Sequence, residues 1–276
     1  MRLWAHHAVA HGADAVCYFR WRRCRQGQEQ YHAGLRKPDG SPDRGYHDAA
    51  RAAEELFDLA PVDAPVAVLH DYENCWATGI EPHAPDWDYW AHLRAYYDAV
   101  RRHGVQTDVV HPDADLAGYD LVVAPAFHLV DDERAAALRA YAEAGGRVVF
   151  GARTGFKDPA NKLHEAPAPG PLADLVGATV DQRESVPGQV ATRVELDGET
   201  YDYRTWAEWL APDDARTVAT HSDGVSEGRP AVVERDVDDG TVAYCGVWPE
   251  PDLADALVTQ HLDAADVART DRLPTA

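Results

Sequence analysis

Short apolar runs that alternate with helical segments between residues 66 and 150 constrain the fold of this chain more than any other feature. Four runs have the length and composition of buried strands, namely Val66–His70, Thr107–His111, Leu121–Pro125 and Arg147–Phe150. Helices are predicted at Asp86–His103, which has an aromatic face, and at Asp131–Ala144, which Gly145 ends. Strands and helices alternating at this spacing pair in parallel through right-handed crossovers. The sequence therefore predicts an α/β fold with a doubly wound sheet.

The segment before this region has the pattern of one unit of a β/α barrel. The apolar residues within 2–12 recur at helical spacing, and Gly12 is predicted to end that helix. A strand is predicted at Ala13–Phe19. After a loop, a helix is predicted at Tyr46–Leu59, and Pro61 follows it. Helix, strand, loop and helix in this order would contribute a single strand to a barrel.

The segment after residue 150 changes to antiparallel patterns. One helical turn is predicted at Leu172–Val176, and short strands separated by Asp-Gly turns run from about Ser185 to Val247. A last helix is predicted at Leu253–Val267. The predicted domains are a barrel unit at 1–61, a doubly wound domain at 62–184 and a small antiparallel β domain at 185–276.

The charge of the chain excludes some classes of partner. Asp and Glu number 47 against 26 Lys and Arg, which gives a net charge of −21, and only three of the basic residues are Lys. Such a surface repels phosphate backbones and anionic lipids, so we expect no nucleic acid and no membrane as partner. Because molar salt screens the self-repulsion of an acidic chain, the composition indicates a protein from a salt-loving organism. The alternative is an acidic protein of a mesophile with a GC-rich genome.

The cysteines and histidines predict neither a disulfide framework nor a metal site. Cys17, Cys24, Cys75 and Cys245 are widely spaced, and we expect reduced thiols in the cytoplasm, with Cys17 and Cys245 buried. His7 and His11 share a helix face, which we interpret as a barrel exterior rather than a metal site. The sequence has no GxGxxG fingerprint and no apolar run near 18 residues, so we expect no nucleotide cofactor and no membrane span.

Candidate binding residues follow the predicted strand at Ala13–Phe19. A carboxylate at Glu29 accepts hydrogen bonds from two sugar hydroxyls, and His32 beside it donates or accepts a further one. Phe19 and Trp21 offer flat apolar faces of the kind on which sugars stack. The alternative is a solvated loop in which Glu29 and His32 are unrelated.

At these residues the chain resembles a known family. The runs Arg2-Leu-Trp-Ala, Tyr18-Phe-Arg-Trp-Arg and Glu29-Gln-Tyr-His-Ala-Gly-Leu resemble the end of the barrel domain in family 42 glycoside hydrolases, which are β-galactosidases. The run Gly151–Asp158 resembles the second domain of that family, which mediates trimer formation. The resemblance implies the last β/α unit of a TIM barrel, a flavodoxin-like (class I glutamine amidotransferase-like) domain and a small antiparallel β domain.

The resemblance also implies a chemistry and its division among residues. Family members hydrolyse the glycosidic bond with retention of the anomeric configuration, and they use two carboxylates about 5–5.5 Å apart. Both family glutamates lie on earlier barrel strands, before the segment that matches Met1, so no residue here is assigned as catalytic. Phe19, Glu29 and His32 match residues that hold the galactose. We therefore expect a galactoside substrate, a homotrimer, no cofactor, and no activity from this chain alone.

Two other functions are compatible with the sequence pattern. The chain could be a free-standing oligomerisation or scaffold module, whose lone barrel strand would have two unpaired edges. It could also be an amidotransferase-like enzyme, but the turn after Arg147–Phe150 reads Gly-Ala-Arg-Thr-Gly and has no cysteine for a nucleophile. The sequence does not decide whether the chain comes from a truncated gene, a split gene or a genuine short gene. The DNA sequence upstream of the Met1 codon would distinguish these three origins.

Trp87 and Trp90 are either core or interface residues.

Overall fold

The computed structural model describes residues 1–56, 62–188, 190 and 192–270. The chain divides into two compact units, Met1–Asp63 and Ala64–Ala276, which are described separately below. No helix in the described ranges is both long and apolar enough to cross a lipid bilayer.

The described residues of the first unit form two helices and an irregular segment between them. Helix α1 spans Arg2–Ala10 and helix α2 spans Arg44–Glu55. Asp43 caps α2, because its carboxylate accepts a hydrogen bond from the backbone N–H of Arg44. Gly12, with a φ of 87°, follows the end of α1 as predicted. The last residues of the predicted helix Tyr46–Leu59 lie outside the described residues.

The predicted strand Ala13–Phe19 is wrong. The segment is irregular, and Cys17, predicted to be buried, is exposed. A strand exists only where a neighbouring strand satisfies its backbone groups, and within the described part of this unit backbone pairing is limited to isolated bridges among Arg22, Arg36 and Pro42. An apolar run alone therefore does not form a strand here.

The second unit contains eleven strands and five α-helices in its described residues. In chain order they are β1 (Val66–Leu69), α3 (Tyr72–Ile80), α4 (Tyr89–Arg102), β2 (Thr107–Val110), β3 (Leu121–Ala124), α5 (Asp132–Glu143), β4 (Arg147–Phe150), α6 (Ala173–Val176), β5 (Ala178–Ser185), β6 (Arg193–Leu196), β7 (Glu199–Pro212), β8 (Arg216–His221), β9 (Pro230–Val237), β10 (Gly240–Cys245), β11 (Val247–Pro249) and α7 (Pro251–Ala264). The four predicted strands of the α/β region are confirmed as β1 to β4. Helix α3 is an addition that the sequence patterns did not predict.

All eleven strands belong to one sheet. Its parallel part has the order β2-β1-β3-β4-β10. Its antiparallel part continues from β10 through β9, β8, β6 and β7 to β11, and β5 also pairs with β7. The sheet is therefore mixed, with a parallel and an antiparallel half joined at β10.

Helices cover both faces of the parallel strands. Val66, Val68 and Val123 pack with residues of α4 and α7 on one face. Ala67 and Val122 pack with residues of α5 and α6 on the other. This alternation follows from the two-residue period of a strand, and it explains why the central strands β1 and β3 are apolar and buried at every position. The predicted helices on either side of the sheet are thus confirmed.

The antiparallel strands do not form a separate compact unit. Strand β10, which was predicted within the small domain at 185–276, pairs in parallel with β4, which was predicted within the domain at 62–184. All six residues of β10 are buried, because neighbours lie on both of its edges and both of its faces. The described residues from Ala64 onward therefore form one unit, without a division at 184/185.

Candidate functional site

The predicted sugar-contact residues lie in the irregular segment of the first unit. Phe19 is 71% exposed, Glu29 is partly buried and His32 is exposed. Arg20 joins two of them, since its Nη1 donates a hydrogen bond to Glu29 Oε2 at 2.9 Å and its guanidinium lies 5.4 Å from the centre of the Phe19 ring. Arg20 thus contacts both Glu29 and Phe19.

His32 is joined to Glu29 through the backbone. Its N–H donates to the carbonyl oxygen of Glu29 at 3.0 Å, so the two residues close one turn. The base of this loop is fixed because the N–H groups of Leu35 and Arg36 donate to the carbonyls of Arg20 and Trp21 at 2.8 Å. The structure thus brings Phe19, Glu29 and His32 into one loop system, with the His32 side chain open to solvent.

Trp21, the other predicted stacking surface, has a different setting. It is 60% exposed, but the guanidinium of Arg36 lies 4.8 Å from its ring centre. A cation over the face of an aromatic ring stabilises the pair and occupies the surface that a sugar would need. Because the guanidinium of Arg20 lies 5.4 Å from the centre of the Phe19 ring, both aromatic rings have a cationic neighbour, and Phe19 is only the more exposed of the two.

The second unit contains a buried polar network that sequence reasoning missed. Glu208 on β7 is fully buried and accepts three hydrogen bonds, from the backbone N–H of Arg153 at 2.8 Å, Trp206 Nε1 at 2.7 Å and the Tyr244 hydroxyl at 2.8 Å. Burial, which disfavours the charged form, raises the pKa of Glu208 to about 7. The signal in the sequence was a single Glu within the apolar run Trp206-Ala-Glu-Trp-Leu210.

Arg153 occupies the turn after β4, where an amidotransferase would carry its nucleophile. Its backbone is in the left-handed region, with a φ of 69°, and its guanidinium lies 4.4 and 5.0 Å from the ring centres of Trp87 and Trp206. It also donates to the carbonyls of Glu81 and Pro82 at 2.9 Å. Burial lowers its pKa to about 10, so the side chain remains a cation at neutral pH. Arg153 therefore ties the loop after α3 to the sheet.

The cysteines of this unit are not activated. Burial raises the pKa of Cys245 to about 11 and also raises the pKa of Cys75. A thiol with a raised pKa is a poor nucleophile at neutral pH. The turn after β4 carries Arg153 in place of a cysteine, and neither thiol is activated. The described part of this unit therefore has no cysteine nucleophile of the kind that an amidotransferase needs.

Comparisons with known proteins agree with the order of the two units. A family model described as β-galactosidase matches residues 1–59, and a model described as β-galactosidase trimerisation domain matches residues 64–268. The chain belongs to the family 42 β-galactosidases. The second match runs across 184/185 without a break, as does the compact unit of the structure.

The relatives are much longer than this chain. A β-galactosidase from Haloferax lucentense is 61% identical over 99% of this chain, which covers 41% of that relative. A β-galactosidase from Halorubrum lacusprofundi is 59% identical, again over 99% of this chain and 41% of the relative. The solved structure of a polyextremophilic β-galactosidase from that haloarchaeon superimposes with a TM-score of 0.91 at 60% identity, covering 99% of this chain and 42% of the other. The chain thus spans about two fifths of the length of these family 42 members.

One group of potential metal ligands lies outside the residues for which the family resemblance predicts a role. Donor atoms of Asp71, Glu73 and His111 lie within 4.8 Å of one another at the carboxyl ends of β1 and β2. Asp71, however, accepts hydrogen bonds from Asn74, and its other oxygen lies 3.6 Å from the guanidinium of Arg134. Because Arg134 already supplies positive charge, we assign no metal there. His7 and His11, the predicted exterior pair, stack at 4.2 Å.

Proposed function

We propose that this chain is the C-terminal part of a retaining β-galactosidase that hydrolyses terminal β-D-galactosyl residues. The observation that carries the proposal is the match of two family models in sequence order, together with relatives that are named β-galactosidases and are 61% and 59% identical over nearly the whole chain. The activity of the whole enzyme would require the remaining three fifths of those relatives' length.

The two units would have separate roles. Residues 1–61 would be the last β/α unit of the catalytic barrel. Residues 62–184 would form most of a flavodoxin-like domain, whose strand order β2-β1-β3-β4-β10 is completed by β10 from the segment 185–276, and the antiparallel strands of that segment would extend the sheet. The description of the matching family model supports assembly of this unit into a homotrimer.

Phe19, Glu29 and His32 would hold the galactose. The free oxygen of Glu29 would accept hydrogen bonds from sugar hydroxyls, while its ion pair with Arg20 fixes the orientation of the carboxylate. The exposed ring of Phe19 would pack against the apolar face of the sugar, and the imidazole of His32 would reach a further hydroxyl. We assign no catalytic residue, cofactor or metal to this chain, and expect no hydrolysis by it alone.

The setting of the enzyme would be a salt-rich cytoplasm. The net charge of −21 is compatible with an organism such as the haloarchaea in which the relatives occur. High intracellular salt would screen the repulsion between carboxylates on the surface.

A chimera tests the proposal. The segment of the Haloferax lucentense enzyme that precedes the match is joined to Met1 of this chain, and hydrolysis of nitrophenyl β-galactoside is measured in molar salt. We expect activity from the chimera and none from the 276-residue chain. A folded chimera without activity would contradict the proposal.

The free-standing assembly module is a second candidate, favoured by the compactness of the unit at Ala64–Ala276. It predicts a stable oligomer of the chain alone. It also predicts that the chimera gains no activity from this chain beyond that of the added segment.

A further inference from the structure

Helix α3 carries its largest apolar side chains on the side that faces solvent. Tyr72, Trp76 and Ile80 are 57%, 60% and 73% exposed, and they follow one another at intervals of four residues. Residues four apart lie on the same face of a helix. The buried residues of α3 are instead the small or polar Asn74, Ala77 and Thr78. The apolar face of α3 is therefore turned to solvent, whereas a helix on the surface of a domain normally packs its apolar face against the core.

Trp90 at the start of α4 enlarges this surface. It is 43% exposed, and its ring centre lies 6.3 Å from that of Tyr72, which in turn lies 5.8 Å from Trp76. His70 packs against Trp90 at 4.7 Å, and burial lowers its pKa, so the imidazole is neutral at neutral pH. We call Tyr72, Trp76, Ile80 and Trp90 the exposed α3 face.

An apolar surface of this kind is unfavourable in water unless another molecule covers it. Soluble proteins rarely expose a contiguous apolar patch that contains several aromatic rings, and Tyr and Trp are the residues enriched at protein interfaces. The rings also pack on one another at angles of 29° and 71°, which gives a ridged surface rather than the flat platform on which a sugar stacks. The geometry favours a protein as the occupant.

The charge of the chain favours a second copy as that protein. Two copies with a net charge of −21 repel each other wherever their carboxylates meet, so a stable contact between copies needs an uncharged surface. The four side chains of the exposed α3 face carry no charge, and Glu81 at its end is paired with Lys157. The one exposed carboxylate beside them on α3, that of Glu73, lies within 4.8 Å of the imidazole of His111. The face also lies within the residues that match a trimerisation domain.

We propose that the exposed α3 face is a contact surface between copies of this chain in the trimer, with Trp76 at its centre. This inference rests on the proposed assembly into a homotrimer. A Trp at the centre of an interface is commonly an energetic anchor, whereas an exposed Trp contributes little to the stability of a monomer.

The test measures assembly of the 276-residue chain by sedimentation in about 1 M salt, where the Debye length is about 3 Å. Trp76→Ser is compared with the wild type and with Val225→Ser, which removes an apolar side chain that is 76% exposed elsewhere in the same unit. We expect Trp76→Ser to raise the concentration of half-dissociation about tenfold or more, and Val225→Ser to leave it unchanged. Circular dichroism of each variant reports whether it is folded.

Oxidative footprinting of the wild-type chain provides a second measurement that needs no variant. We expect Trp76 to be protected at concentrations where the trimer forms and oxidised after dilution to monomers. A trimer that keeps Trp76 accessible, or that Trp76→Ser leaves intact, would overturn the interface but not the trimer. Protection of Trp76 in a monomer, of either this chain or the chimera, would mean that the same polypeptide covers the face and would also overturn it. A wild-type chain that stays monomeric at every concentration would refute the proposed trimerisation itself.

Discussion

Replacement of Glu208 by Gln should remove a specific part of the pH dependence of folding. Gln has the shape of protonated Glu, and its carbonyl oxygen can still accept from Trp206 and from the backbone of Arg153. The amide group would face the hydroxyl of Tyr244, which can accept a hydrogen bond as well as donate one. The substitution therefore removes the titration of residue 208 and leaves its packing nearly unchanged.

The magnitude follows from the pKa of this carboxyl in the two states. It is 4.5 in the unfolded chain and about 7 in the fold, so between these values the folded state binds the extra proton. Its contribution to stability is complete below pH 4.5 and is lost as the pH rises through about 7. At about 1.4 kcal/mol per pH unit, the loss amounts to about 3 kcal/mol.

Buried histidines act in the opposite direction and must be separated from this effect. Burial lowers the pKa of His92 and His128 to about 3 and that of His261 to about 4, from 6.5 in the unfolded chain. The unfolded state then binds more protons below pH 6.5, so these residues reduce stability as the pH falls. The informative quantity is therefore the difference between Glu208→Gln and wild type, in which the histidines cancel.

Urea unfolding at constant salt, at about pH 5 and about pH 8, measures this difference. We expect Glu208→Gln to be close to wild type at about pH 5 and more stable by about 3 kcal/mol at about pH 8. Glu195→Gln, an exposed position on β6, serves as the matched control and should show no such change. An equal pH dependence in Glu208→Gln and wild type would refute the reasoning.

Three further predictions concern the sheet, the charge and the binding loop. Gly151→Ala should lower the free energy of unfolding, measured in urea, by about 1–3 kcal/mol, because its Cβ would collide with the backbone of Pro125. Gly118→Ala, with open space around the new Cβ, should be neutral, and equal stability of the two variants would contradict this prediction. Transfer from about 1 M to about 0.1 M salt should lower the unfolding midpoint of the chain, since the Debye length grows from about 3 to about 10 Å; a midpoint independent of salt would exclude charge repulsion as the cause. In the chimera, Glu29→Gln should lower kcat/KM at least about tenfold while the exposed Glu54→Gln does not, and equal effects would remove Glu29 from the galactose site.

Local patterns were sufficient for the parallel half of the sheet. Strands β1 to β4 are apolar at nearly every position because helices cover both faces, and that composition is visible in the sequence. The start of α5 was equally visible, since Asp131 caps it and acidic residues follow in its first turn.

The features that sequence patterns missed depend on distant residues. Ala13–Phe19 has the composition of a strand but no pairing strand among the described residues, and β10 pairs with β4, whose sequence lies about a hundred residues earlier. Two of the three hydrogen-bond donors of buried Glu208, Arg153 and Tyr244, come from distant parts of the chain. Helix α3 was also missed, although Tyr72, Trp76 and Ile80 stand at helical spacing; only the structure shows that this apolar side faces solvent. The predicted contacts of Phe19, Glu29 and His32 with galactose stay predictions.

The position of β10 between β4 and β9 affects how the protein can be synthesised. Strand β4 ends at Phe150, and β10, which covers its open edge, is complete only at Cys245. At about 5–20 residues per second, the ribosome needs roughly 5–20 s to add the 95 residues between these two positions. During that interval the nascent parallel sheet presents an unpaired apolar edge, which is a site for wrong pairing between chains. We therefore expect correct folding in the cell to require protection of this edge until β10 has left the ribosome.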